Sequence, residues 1–184
     1  LLTGNLSFED NVHLCMTGGE PLLGWQKAYV ELFQQPELVN LEHLTFETNG
    51  SKMVQQVLID YFNNTNAMFT EVTWMVSPKL SLTGEDQNVT IDPECLLSMN
   101  KVLNSNINLK FVVRDEIDLA EVEAALAAYE EAGVEIEDVF LMPEGATLEG
   151  QELTEKNVAE LCMREGYKFS PRLHINLFGN SWGT

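Results

Sequence analysis

The chain is poor in positive charge. Ten Lys+Arg stand against 29 Asp+Glu in 184 residues, a formal net charge of -19 with a sequence pI near 4.3. A field of that sign repels phosphate backbones, so DNA and RNA are not expected as direct partners. Cysteine is scarce as well: Cys15, Cys95 and Cys162 lie 80 and 67 residues apart. That odd, scattered set argues against a disulfide framework and for a reducing, cytoplasmic setting, and it excludes any short-spaced metal or cluster motif among these residues. Each cysteine is expected to pack as a small hydrophobe. No apolar run reaches the roughly 20 residues of a membrane span, so no membrane partner is expected. Neither a basic-then-apolar leader, nor an internal repeat, nor a low-complexity stretch is visible.

What remains is an ordinary globular composition, 45% hydrophobic and 21% charged, enough for one domain over residues 1–184. The chain opens on Leu1 without a clear period over its first ten residues, as a piece of a longer protein would. From Val12 onward apolar runs alternate with helical stripes. Strands are expected at about 12–15, 44–47, 72–76, 107–113 and 138–141, with a last one carrying Arg172, Leu173, His174 and Ile175. The first helix is expected over 22–33, with Pro21 at its first position and Leu22, Trp25, Tyr29, Leu32 and Phe33 on one stripe. The second carries Met53/Val54, Val57/Leu58 and Tyr61/Phe62. The third opens with Asp92-Pro93, the fourth with a capping box of Asp118 and Glu121 before stopping at Gly133, and the fifth ends near Gly166. The polar loop 81–90 is the expected mobile segment. Strands alternating with helices imply a parallel sheet with helices outside, either doubly wound or a barrel.

The loops fall into two kinds. Those after helices use generic turn chemistry, while those after strands carry Thr17-Gly18-Gly19-Glu20-Pro21, Glu47-Thr48-Asn49-Gly50, Ser77-Pro78-Lys79 and Met142-Pro143-Glu144-Gly145. Ligands of α/β folds bind at the carboxyl ends of strands, so this shared polarity points to a site. Adjacent glycines let backbone groups lie directly against a ligand. Glu20 offers an acceptor to an ammonium or holds the turn. Asn49 is explained as well by an Asn-Gly turn as by a pocket. Lys110, mid-strand between apolar residues, must be paired or face a wet cavity. Arg172 and His174, two residues apart in the expected last strand, share one face, a cationic pair suited to a carboxylate. His13 and His43 lie near strand beginnings and are assigned no role.

Thr17-Gly18-Gly19-Glu20-Pro21 after a strand resembles the motif by which radical S-adenosylmethionine (SAM) enzymes hold the methionine end of SAM. Adding Glu47-Thr48-Asn49-Gly50, Ser77-Pro78-Lys79, Phe140 through Thr147, Gly166 through His174, and Gly179-Asn180, the chain from Val12 onward resembles the 7-carboxy-7-deazaguanine synthase family of queuosine and 7-deazaguanine biosynthesis. The resemblance implies a partial TIM-like barrel with its first strand missing. It implies conversion of 6-carboxy-5,6,7,8-tetrahydropterin to 7-carboxy-7-deazaguanine by radical chemistry with loss of ammonia. SAM, a [4Fe-4S] cluster and Mg²⁺ would be the cofactors, a flavodoxin-type reductase the electron donor, and a homodimer the assembly.

On the same resemblance Gly18, Gly19, Glu20, Ser77, Pro78, Lys79, Met142, Pro143, Glu144 and Gly145 hold SAM. Thr17, Arg172 and His174 contact substrate, and Glu47, Asn49 and Lys110 line the pocket, with the tail 179–184 folding over it. The family's cluster loop of spaced cysteines and its Mg²⁺-binding Thr are absent from these residues. The chain is therefore expected to be N-terminally truncated, with no metal ligand of its own and no activity alone. Two alternatives stay open: a small radical SAM enzyme of the glycyl-radical-activating type, and a non-catalytic relative that binds SAM or pterin without a cluster.

Overall fold

The computed structural model describes residues 13–38, 41–64, 69–84 and 91–179. Six strands form one sheet: β1 His13–Met16, β2 His43–Thr48, β3 Glu71–Val76, β4 Ser105–Val113, β5 Asp138–Pro143 and β6 Lys168–Phe169. Every neighbouring pair is parallel and the spatial order follows the sequence, β1 to β6. A doubly wound sheet needs a reversal of strand order, and none occurs among the described residues. Successive crossovers of one hand instead add each strand on the same side and lay the connecting helices on one face. This is an α/β partial TIM-like barrel.

Between and after the strands lie α1 Gln26–Phe33, α2 Gln56–Phe62, α3 Pro93–Asn100, α4 Glu116–Ala132, α5 Leu148–Glu165 and α6 Leu173–Phe178. The strands alternate with a period of two, and this sorts their side chains onto two faces. Leu44, Phe46, Val72, Trp74, Ile107, Leu109, Phe111 and Leu141 are almost wholly buried, packed with helical residues such as Leu58, Phe62, Leu96, Met99, Val122 and Leu161. Phe46 and Trp74 stack with centroids 4.8 Å apart at the centre of this layer. The other face carries Cys15, Thr45, Glu47, Thr73, Met75, Asn108, Lys110 and Met142, mostly half-buried or exposed. One face is thus a core and the other an open polar surface.

Local signals account for most element ends. The Asp92 side chain accepts from the Glu94 amide to start α3, Thr147 does the same for α5 from the Gly150 amide, and left-handed Gly133 and Gly166 stop α4 and α5. Several sequence expectations need correction. Helix α1 begins at Gln26 rather than Leu22, so Pro21 precedes it by a turn, and Trp25 is 88% exposed rather than on the buried stripe. Helix α2 likewise begins after Met53, which is exposed. Helix α4 is capped by Asp115, whose carboxylate accepts from the Ile117 and Asp118 amides. Asp118 instead pairs with Arg114.

The last strand is only Lys168–Phe169, and Arg172 and His174 fall at the cap and in the first turn of α6. Arg172 has non-helical cap dihedrals and His174 lies within the helix, so the strand alternation that would put the two on one face does not hold. Part of the loop expected to be mobile (85–90) and of the tail expected to cover the pocket (180–184) lies outside the described residues.

Candidate functional site

Parallel strands place all their carboxyl ends at one edge. The loops 17–21, 49–50, 77–79 and 144–145 therefore leave the sheet on the same side, from β1, β2, β3 and β5 in order. At roughly 4.8 Å per strand the β1 and β5 loops lie four spacings apart along that edge.

The first loop is fastened at its base and free at its tip. Glu20 Oε1 accepts from the Thr48 hydroxyl at 2.6 Å and the Leu22 amide at 3.0 Å, while Oε2 accepts from the Asn49 amide at 2.8 Å. The carboxylate thereby ties the β1 loop to the end of β2. Tyr29 donates to the Pro21 carbonyl at 2.7 Å, and burial, then the nearby Glu20 charge, push its phenol pKa up, so it stays a donor. Gln26, 1% exposed, donates from Nε2 to the carbonyls of Leu22 (3.0 Å) and Met53 (2.9 Å) and accepts at Oε1 from the Gln55 amide at 2.7 Å. Above this base Thr17, Gly18 and Gly19 are exposed, and a Cβ at either glycine would meet nothing within 4 Å. At Gly18 the φ of +120° suits glycine alone.

The neighbouring loops are stitched in the same way. The Ser77 amide donates to the Thr48 carbonyl at 2.8 Å and the Glu144 amide to the Val113 carbonyl at 3.0 Å. Thr154 caps the Glu144 carbonyl from α5 at 2.6 Å. Pro78 and Pro143 are buried, while Ser77, Lys79, Met142 and Glu144 are half-buried. Gly145 has a structural reason of its own: at φ +142° a Cβ would lie 2.6 Å from the Gln151 amide nitrogen.

On the open face, below the loops, Lys110 of β4 reaches Glu47 of β2 at 3.7 Å. Asn49 accepts from the Ser51 amide through its side chain at 2.9 Å, the turn geometry that Asn-Gly suggested. Arg172 is half-buried with its Nε unpartnered among the described residues, while His174 is exposed on α6. At the opposite edge His13 and His43 meet edge-on at 4.8 Å, and His43 contacts Glu71 at 3.2 Å. The strand-end loops thus share one edge with Glu47 and Lys110 beside them, and the two histidines stand apart. The fastening role of Gln26 has no motif in the sequence; its only trace is a polar residue in an otherwise apolar stripe.

No family model matches the chain. It is 32% identical to 7-carboxy-7-deazaguanine synthase from Halobacterium salinarum over 95% of this chain and 68% of that protein. The chain belongs to the 7-carboxy-7-deazaguanine synthase family. The enzyme of that name from Pyrobaculum aerophilum is 30% identical over 93% of this chain and 67% of its own length. The one from Rhodopirellula baltica is 27% identical over 94% and 63%. The chain thus spans about two thirds of these 7-carboxy-7-deazaguanine synthases. A crystal structure of QueE from Escherichia coli aligns with a TM-score of 0.48 and 19% identity, covering 87% of this chain and 56% of that one.

Among the described residues no three His, Cys, Asp or Glu side chains are grouped to hold a metal ion. Cys15 is exposed on β1, whereas Cys95 in α3 and Cys162 in α5 are buried. Also among the described residues, no helix is long and apolar enough to cross a membrane.

Proposed function

We propose that the complete protein converts 6-carboxy-5,6,7,8-tetrahydropterin to 7-carboxy-7-deazaguanine with loss of ammonia, using SAM, a [4Fe-4S] cluster and Mg²⁺. The observation that carries this reading is the alignment of the Thr17–Pro21, Ser77–Lys79 and Met142–Gly145 loops along one edge of the sheet, in a member of this family. The described residues fit SAM. Gly18 and Gly19 present bare backbone to open space, which suits the amino-acid end of the molecule, and Ser77 through Lys79 and Met142 through Gly145 stand further along the same edge. They do not fit a cluster or a Mg²⁺ site, since no three His, Cys, Asp or Glu side chains are grouped among them.

SAM, when bound, would supply the radical chemistry. The protein's own part is to orient reactants and keep water from reactive species. The backbone of residues 18–19 would hold one end of SAM, Met142 through Gly145 would flank its nucleoside, and Thr17 would contact substrate. Glu20 acts one step back, fixing the turn that carries the glycines. Lys110 faces the substrate carboxylate from the open face, with Arg172 at the far rim; a cation in a half-buried setting binds a carboxylate more strongly than one in water. His174, exposed on α6, would be a further substrate contact. A flavodoxin-type donor, a homodimer and a cytoplasmic setting complete the reading.

The test is anaerobic reconstitution of the complete protein with iron and sulfide, followed by incubation with SAM, reductant and carboxytetrahydropterin. Mass-spectrometric appearance of 7-carboxy-7-deazaguanine supports the reading; a brown, SAM-binding protein that leaves the pterin unchanged refutes it.

A further inference from the structure

The β1 and β2 loops are joined by side chains rather than by sheet hydrogen bonds. Glu20 makes one joint, at Thr48 and Asn49. Gln26 makes the other, reaching across to residues 53 and 55 from the start of α1. Its amide is fully used: both Nε2 hydrogens go to carbonyls, one on each loop, and Oε1 takes the Gln55 amide. Gln55 returns a bond from its own side chain to the Gly24 carbonyl at 3.1 Å. Beyond this doubly fastened base Thr17, Gly18 and Gly19 are exposed, and a Cβ at either glycine would meet nothing within 4 Å. Where their backbone groups point is therefore set by how the base is held.

We infer that Gln26 is a positioning residue for SAM: by locking the β1 loop to the β2–α2 connection it fixes the direction in which Gly18 and Gly19 present their backbone. The inference rests on the SAM reading above. Chemistry narrows what can replace it. A hydrocarbon leaves two carbonyls and an amide unpaired in a buried place, at a cost the loops relieve by separating. A carboxylate keeps the acceptor for Gln55 but turns its second oxygen toward the two carbonyls, a repulsion that protonation converts into one donated hydrogen bond. Burial and facing carbonyls raise such a carboxyl's pKa, so the defect should be strongest at high pH and ease as pH falls.

The experiment measures SAM affinity of the complete, reconstituted protein by isothermal titration, beside its melting temperature. Gln26→Leu should weaken SAM binding about tenfold (~1.4 kcal/mol). Gln26→Glu, which guards against a Leu variant that fails to fold, should show SAM affinity that improves relative to the parent's as pH is lowered. Parent-like SAM affinity in folded Gln26→Leu, or a Gln26→Glu pH profile parallel to the parent's, overturns the positioning role while leaving the SAM reading intact. A parent protein that binds no SAM overturns both.

Discussion

Lys110 and Glu47 meet at 3.7 Å although they stand two strands apart, on β4 and β2, with β3 between them. The pair bridges the open face just beneath the strand-end loops. A lysine in the middle of a parallel strand is costly unless its charge is answered, and here one carboxylate answers it at a distance longer than an ordinary hydrogen bond.

Because the Glu47 side chain is 49% exposed, the pair adds little to stability. Lys110→Met should therefore leave unfolding free energy within about 1 kcal/mol of the parent. If the ammonium faces the pterin carboxylate, the same substitution should weaken carboxytetrahydropterin binding about tenfold, with SAM affinity unchanged. Parallel titrations of the two ligands check this; equal effects on both would remove Lys110 from the substrate side.

Asp118 is the buried counterpart of that exposed pair. It is 1% exposed, and takes two side-chain bonds from Arg114 at 2.8 and 2.9 Å plus the Arg114 amide at 2.8 Å. Burial pushes its carboxyl up, but those hydrogen bonds and the guanidinium charge outweigh burial and hold it below its ordinary value. A depressed folded-state pKa gives stability that is fully present above the unfolded pKa and lost as pH falls through the folded one. Asp118→Asn should cost about 2 kcal/mol at neutral pH, and the gap to the parent should close below about pH 4. Denaturant unfolding across pH 3 to 7 measures it.

Much of this architecture is legible in the sequence because strand and helix periods differ. The βα loops were identifiable because glycine, proline and polar residues cluster after apolar runs, and position along a parallel strand then fixes which edge they reach. The end of the chain misleads for the same reason. Leu173, Ile175 and Leu177 alternate with His174 and Asn176, a period of two that reads as a strand, yet these residues form a short helix burying only Ile175. Asp115 and Asp118 are both good caps by type; only the short link from the end of β4 selects Asp115. In sequence α1 reads as starting too early because Leu22 and Trp25 continue the helical stripe, which places Gln26 in the middle of a stripe and not at the first turn. A buried glutamine announces itself by its partners, and two of the three lie 27 and 29 residues away.

The three cysteines should separate by reactivity. Thiols react as thiolates. Burial, then the hydrogen bond to Asp92, push the Cys95 thiol up to about 12, and burial raises Cys162 as well. Cys15 is also raised, by burial first and then by Glu47, with Lys110 acting in the opposite direction, but it alone is exposed. Iodoacetamide at pH 8 should label Cys15 first, and Lys110→Met should slow that labelling. Peptide mass mapping against time reads the order, and faster labelling of Cys95 would contradict the packing described for α3.

Gly19 and Gly145 both belong to strand-end loops, yet they should fail in different ways. At Gly145 a Cβ would meet backbone, the Gln151 nitrogen at 2.6 Å and the Gly150 carbonyl carbon at 2.7 Å, in a conformation that disfavours side chains. Backbone cannot swing aside as a side-chain end can, so Gly145→Ala should cost about 2 kcal/mol or more of stability and loosen the start of α5. At Gly19 a Cβ meets nothing within 4 Å and φ is not positive, so Gly19→Ala should melt with the parent. Its added methyl group occupies the space where a ligand's backbone contacts would form, so SAM affinity should drop about tenfold or more in a protein of undiminished stability. Melting curves and SAM titrations on both variants separate the cases. Parent-like SAM binding by Gly19→Ala would mean that the open tip of the first loop faces solvent and that the ligand sits elsewhere along the edge.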